Sequence, residues 1–273
     1  MRDAQPSTIF LSDYRVPEFL IDSTTLQFEL GETNSIVRSV LELRRNPESD
    51  VQDAPLQLHG TELELVSLSI DGRELAPNEW SQSGEQLSIA KVPAAFSLSC
   101  ETRIRPQDNT SLEGLYKSSG MFCTQCEAEG FRKITYYLDR PDVMSVFTVE
   151  IIADQSRYPV LLSNGNLVAT ETLADGFHKT VWQDPFPKPA YLFALVAGKL
   201  SVVEDQFITS SGRSVDLKIY VEEKDLDKCD HAMLSLKNAM RWDEEVYGRE
   251  YDLDIFNIVA VDDFNMGAME NKS

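Results

Sequence analysis

The run Asn265-Met266-Gly267-Ala268-Met269-Glu270-Asn271 sets one carboxylate among glycine, alanine and methionine, shortly after an apolar stretch at 255–261. Two chemistries fit these residue types. As an extended edge, the run lets another backbone lie against it while Glu270 meets a cation. As a polar loop, it leaves Met269 to fill a gap in a core. A second candidate is Cys123-x-x-Cys126. A redox pair wants to open a helix in a βαβ setting, and this neighbourhood is rich in strands. A structural zinc needs two more ligands, and only Cys100 and Cys229 remain, singly and far off. Ordinary reduced cysteines are the simpler expectation. His59, His178 and His231 read as surface or strand residues.

The elements that must position these groups are mostly strands. Leu26–Leu30, Leu63–Ile70 and Phe147–Ile151 alternate apolar and polar residues, the period of a half-buried antiparallel sheet. Asp71-Gly72 and Asn164-Gly165 predict hairpin turns, and Asp175-Gly176 and Ser211-Gly212 add further breaks. The pattern predicts a mainly β fold, an antiparallel sandwich or saddle-like sheet, over 1–199. After Val221 the period changes. Cys229, Ala232, Met233, Leu236, Ala239, Met240 and Tyr247 recur every three or four residues, which predicts one apolar helical stripe over 224–247; Met233, Met240 and Trp242 are assigned to core packing. Glu222, Glu223, Asp225 and Asp227 crowd the end where the helix dipole favours negative charge, and Gly248 stands at the C-cap. Ile255–Val261 reads as a buried strand. Residues 200–273 therefore open a second, α+β domain too small for a core of its own, so the chain is expected to be truncated.

Composition narrows the function classes. The 273 residues carry 45 acidic and 25 basic side chains, a net charge of −20. That balance argues against nucleic acid, which needs clustered Lys and Arg, and against an anionic membrane surface. Residues 200–273 alone hold 17 acids and 8 bases, a field that favours cationic groups. No apolar run reaches the 18 or more residues of a membrane helix. Met1-Arg2-Asp3-Ala4-Gln5-Pro6 lacks the apolar core of a secretion signal, so a cytoplasmic, reduced protein is expected.

Gly267-Ala268-Met269-Glu270-Asn271 is identical to the signature of the aminopeptidase N family of zinc exopeptidases. Met121–Arg132 and Ile134–Asp142 resemble the bacterial alanyl aminopeptidase branch of that family, and the resemblance runs through essentially all 273 residues. It implies a β-saddle domain over 1–199 followed by the start of a thermolysin-like catalytic domain over 200–273. It also implies that Glu270 and Glu127 hold a substrate's free α-amino group with Gln125 helping. The backbone of Gly267, Ala268 and Met269 would align the scissile peptide, and Met266 would cushion the first side-chain pocket. Asn271 completes the motif. The partners so implied are peptides with a free N-terminus, met by a monomeric parent protein.

The chemistry is coherent. An α-amino group with a pKa of about 7.7–8.0 is largely cationic at neutral pH, and partly desolvated carboxylates grip it by charge-assisted hydrogen bonds. The family's Zn2+ is held by an H-E-x-x-H helix and a later glutamate. None of the three histidines here begins that motif, so the ligands are expected beyond Ser273 and this chain alone is expected to be inactive. Two rival readings stand beside the enzyme. One is a peptide-binding or scaffold module that lost its zinc; the other is a thiol oxidoreductase using Cys123 and Cys126.

Overall fold

A computed structural model describes residue 8 and residues 10–51 and 53–272; the Met1–Pro6 stretch read for a secretion signal lies outside them. The chain is mainly β. Its largest sheet has eight strands. At its centre, Phe19–Glu29 pairs antiparallel with Ser35–Arg45, and Ser35–Arg45 pairs antiparallel with Ala95–Ile104. On its other side Phe19–Glu29 runs parallel to Met144–Asp154, with Leu26 opposite Val149. Alternation alone had suggested antiparallel pairing throughout. Period two reports which face of a strand is buried, and it is silent about the direction of the neighbour.

The predicted apolar positions do turn inward. Leu26, Phe28, Phe147, Val149 and Ile151 are almost fully buried. Phe131 sits at their centre, with ring centroids 4.8 Å from Tyr137 and 5.3 Å from Phe193 in edge-on contacts. Burying each such ring contributes about 1.5–3 kcal/mol, and edge-to-face pairing adds to that.

Asp71-Gly72 forms the expected hairpin between Glu64–Ile70 and Arg73–Glu74, with positive φ at both turn residues. Asn164-Gly165 does not. The strands on either side of it, Val160–Ser163 and Asn166–Thr172, belong to different sheets, so this turn hands the chain from one sheet to the other. Gly165 makes the handover possible. Its φ is +85°, and a Cβ there would lie 2.2 Å from the Gln183 carbonyl oxygen.

Ser201–Ile208, Ser214–Val221 and Ile255–Val259 form a separate three-stranded sheet. One face meets the helix Asp230–Tyr247, and the other packs on the large core through Tyr220, Ile255 and Val259. The helical stretch differs from its prediction in two ways. It begins as a 3-10 turn, Glu223–Lys228, before the α-helix, and its buried stripe is narrower. Cys229, Met233, Leu236 and Met240 are buried, whereas Ala232, Ala239 and Tyr247 are exposed and Trp242 is 52% exposed. A helix laid on a single sheet buries only the line of contact, and Trp242 instead meets Tyr247 edge-on at 5.1 Å. Gly248 ends the helix in the left-handed conformation, its N–H bonded to the Glu244 carbonyl. Ile255–Val259, expected to be buried, is half-buried along its whole length. It is the edge strand of its sheet, so one side carries no neighbouring strand among the described residues.

Candidate functional site

That open edge forms one wall of a cleft of about 620 Å3. The lining also takes in the small sheet, through Cys123, Thr124, Leu162, Ser163 and Val196, with Ala194 just before its strand Leu195–Gly198. The rim is the segment 266–271, and each of Met266, Gly267, Ala268, Met269, Glu270 and Asn271 lines the cleft. This segment is neither helix nor strand. Gly267, Ala268 and Glu270 are exposed, Met266 is 45% exposed, and Met269 and Asn271 are half-buried. The Glu270 carboxylate makes no hydrogen bond or ion pair among the described residues, while nearby Asp262 is neutralised by Lys224 Nζ at 2.6 Å. One uncompensated carboxylate in a cleft with apolar walls is an arrangement that attracts a cation.

Gln125 is the last residue of the strand Met121–Gln125 and is fully buried. Its Nε2 lies 3.9 Å from Met269 Sδ, which brings the two sequence motifs into contact. Its Oε1 is buried and accepts no hydrogen bond. Glu127 follows two residues later on a tight turn, half-buried, and neither it nor Gln125 is among the residues lining the cleft.

The turn that carries Glu127 is built with care. Gly130 closes it with an N–H bond to the Cys126 carbonyl, and a Cβ there would stand 2.6 Å from the Gln125 carbonyl oxygen. Beyond it, the Arg132 backbone N–H and Nε both donate to Asp139 Oδ2, at 3.1 and 3.0 Å, and the guanidinium also donates to the Asp139 carbonyl. Burial raises the Asp139 carboxyl, opposed by Arg132. The Asp139 N–H in turn donates to His59 Nδ1 at 3.2 Å. Burial pushes the His59 imidazole below its usual value, and the Arg132 charge acts the same way. A neutral ring is what this acceptor role requires.

The cysteines lie in the core. All four are buried and free of disulfides. Burial pushes the Cys123 thiol up to about 11 and Cys100 to about 12, and raises Cys126 as well. Thiols in that state are poor nucleophiles, which removes the physical basis of the oxidoreductase reading. Among the described residues, no group of three or more His, Cys, Asp or Glu side chains is placed to hold a metal ion. The residues present do not fit a zinc site.

In the sequence Asn164 reads as part of an Asn-Gly turn; in the structure its side chain meets three backbone groups. Its Nδ2 donates to the Leu192 and Lys272 carbonyls, at 3.0 and 2.6 Å, and its Oδ1 accepts the Ala194 N–H at 2.7 Å. No sequence signal pointed to it, since all three partners are remote in the chain.

Residues 22–192 match the peptidase M1 N-terminal domain, and the chain belongs to the peptidase M1 family. It is 53% identical over its full length to aminopeptidase N of Caulobacter vibrioides, and 53% identical over 98% of its length to aminopeptidase N of Escherichia coli. It spans only 31% and 30% of the length of those two relatives. The solved structure of Legionella pneumophila aminopeptidase A in complex with aspartic acid superposes with a TM-score of 0.92 at 36% identity. That match covers 96% of this chain and 31% of the other.

Proposed function

We propose that this chain forms the substrate-amine anchor and peptide-aligning edge of a cytoplasmic, zinc-dependent aminopeptidase that releases alanyl and other N-terminal residues. In this reading residues 1–199 form the β-saddle domain, and 200–273 begin the catalytic domain. The observation that carries it is the unpaired Glu270 carboxylate on an irregular, exposed rim of a cleft that is also lined by an open strand edge. A peptide backbone can lie along the rim formed by Gly267, Ala268 and Met269, because no side chain larger than methyl interrupts it before Met269. Met266 then borders the first side chain. Glu270 takes the ammonium; Glu127 and Gln125, which lie outside the lining of the cleft, are assigned to it as further acceptors on the family resemblance alone.

An exopeptidase must measure one residue from a chain end. Fixing the ammonium at a set distance from the scissile bond turns binding energy into orientation. Zn2+, held by parts of the longer protein outside these residues, would supply the activated water. The partners in this reading are peptides with a free N-terminus, bound by a monomeric protein.

The test is hydrolysis by the full-length protein of an alanyl peptide and of its N-acetylated twin, with zinc content measured alongside. Turnover of the free peptide alone, lost on chelation and restored by zinc, is the expected result. Binding without turnover would establish the peptide-binding module instead.

A further inference from the structure

We propose that Asn164 is a positioning residue for the substrate rim, the rear anchor of a strap tied at both ends to the sheets of the N-terminal part. The inference rests on the aminopeptidase reading above and assigns the rim a support outside its own motif.

The front anchor is a group of three hydrogen bonds. Tyr116 Oη donates to the Asp263 carbonyl at 2.9 Å, Ser118 Oγ donates to Asp263 Oδ2 at 2.7 Å, and Asn265 Nδ2 donates to the Leu112 carbonyl at 3.0 Å. The rear anchor is the Lys272 carbonyl, held by Asn164 Nδ2 at 2.6 Å. Lys272 Nζ is fixed in addition by Asp252 at 2.7 Å and lies over the Phe186 ring at 4.2 Å. Between the anchors, residues 266–271 touch the sheets through a side-chain polar contact at Met269 and Gln125.

Asn164 suits the task because nothing about it is loose. It is 1% exposed, and it spends both amide donors and its acceptor on three backbone groups of two segments, Leu192 and Ala194 in one and Lys272 in the other. Gly165, confined beside the Gln183 backbone, fixes the turn that presents it. Glu270 lies two residues from the Lys272 carbonyl. A displacement there moves the carboxylate relative to Gln125, and misplacing a positioning group by about 1 Å costs roughly a hundredfold in rate.

The experiment uses the full-length protein with Asn164→Asp, which keeps size and one acceptor but deletes both donors, and with Tyr116→Phe, an isosteric loss of one front anchor. Hydrogen exchange across 266–272 and kcat and KM on an alanyl peptide are measured together. For Asn164→Asp the expected result is at least tenfold faster exchange in 266–272, none in Met144–Asp154, and at least tenfold lower kcat/KM per folded molecule. Tyr116→Phe moves both readouts the same way by about threefold, and decides the matter if Asn164→Asp does not fold. Unchanged exchange, or faster exchange with unchanged kcat/KM, overturns the proposal. If the wild-type protein releases no N-terminal residue, the aminopeptidase reading fails, and the exchange arm alone then decides whether Asn164 holds the strap.

Discussion

The Gln125 side-chain amide stands 3.9 Å from Met269 Sδ, across a separation of 144 residues, and joins the end of one strand to the rim of the cleft. Its Nε2 also faces the Glu127 carbonyl at 3.5 Å, and its Oε1 is buried with no donor. A buried, unsatisfied acceptor costs about 1–3 kcal/mol, a cost that a ligand ammonium beside it would relieve.

Gln125→Met should therefore separate stability from function. Removing the orphaned oxygen while keeping the volume is expected to leave the melting temperature unchanged or raised. KM for free-amine peptides should rise about tenfold. Thermal melts and steady-state kinetics on the full-length protein check both. A lower melting temperature with unaltered KM would make Gln125 a structural residue.

The reach of the sequence is clear from particular residues. Phe147, Val149 and Ile151 announced a buried face because alternation is a property of one strand. The parallel pairing of Leu26 with Val149 was invisible, because the partner of a strand is set by topology and not by its own period. Tyr247 fell on the predicted helical stripe and Trp242 was assigned to core packing, yet both are more than half exposed, since the buried line of contact runs through Cys229, Met233, Leu236 and Met240. The rim residues Met266 to Asn271 were legible as a contiguous motif. Asn164 was not, because its hydrogen bonds exist only once two remote segments, 192–194 and Lys272, meet at its side chain.

Acid should loosen the turn that carries Glu127. His59 has its folded pKa depressed below the unfolded value of 6.5, with burial the largest cause. Between those two values the unfolded chain binds more protons than the folded one, so stability is present above 6.5 and falls as pH drops through that window. His59→Gln offers no titrating ring. Denaturant midpoints measured at pH 7.5 and pH 5 should fall more for the wild type than for this variant. Equal shifts in the two proteins would contradict the assignment of a neutral His59.

The cysteines should be inert in the folded protein. With Cys123 pushed up to about 11 and Cys100 to about 12 by burial, thiolate is scarce at pH 8 and access is blocked. Peptide mapping after iodoacetamide treatment should find Cys100, Cys123, Cys126 and Cys229 unmodified until denaturant is added. Rapid native labelling of Cys123 or Cys126 would reopen the thiol chemistry.

The most direct test of the central claim is Glu270→Ala in the full-length protein, assayed on alanyl peptides. Losing a hydrogen bond to a charged group costs about 1.5–3 kcal/mol, so kcat/KM is predicted to fall at least tenfold while the fold is retained. An unchanged kcat/KM would contradict the claim that Glu270 anchors the substrate amine.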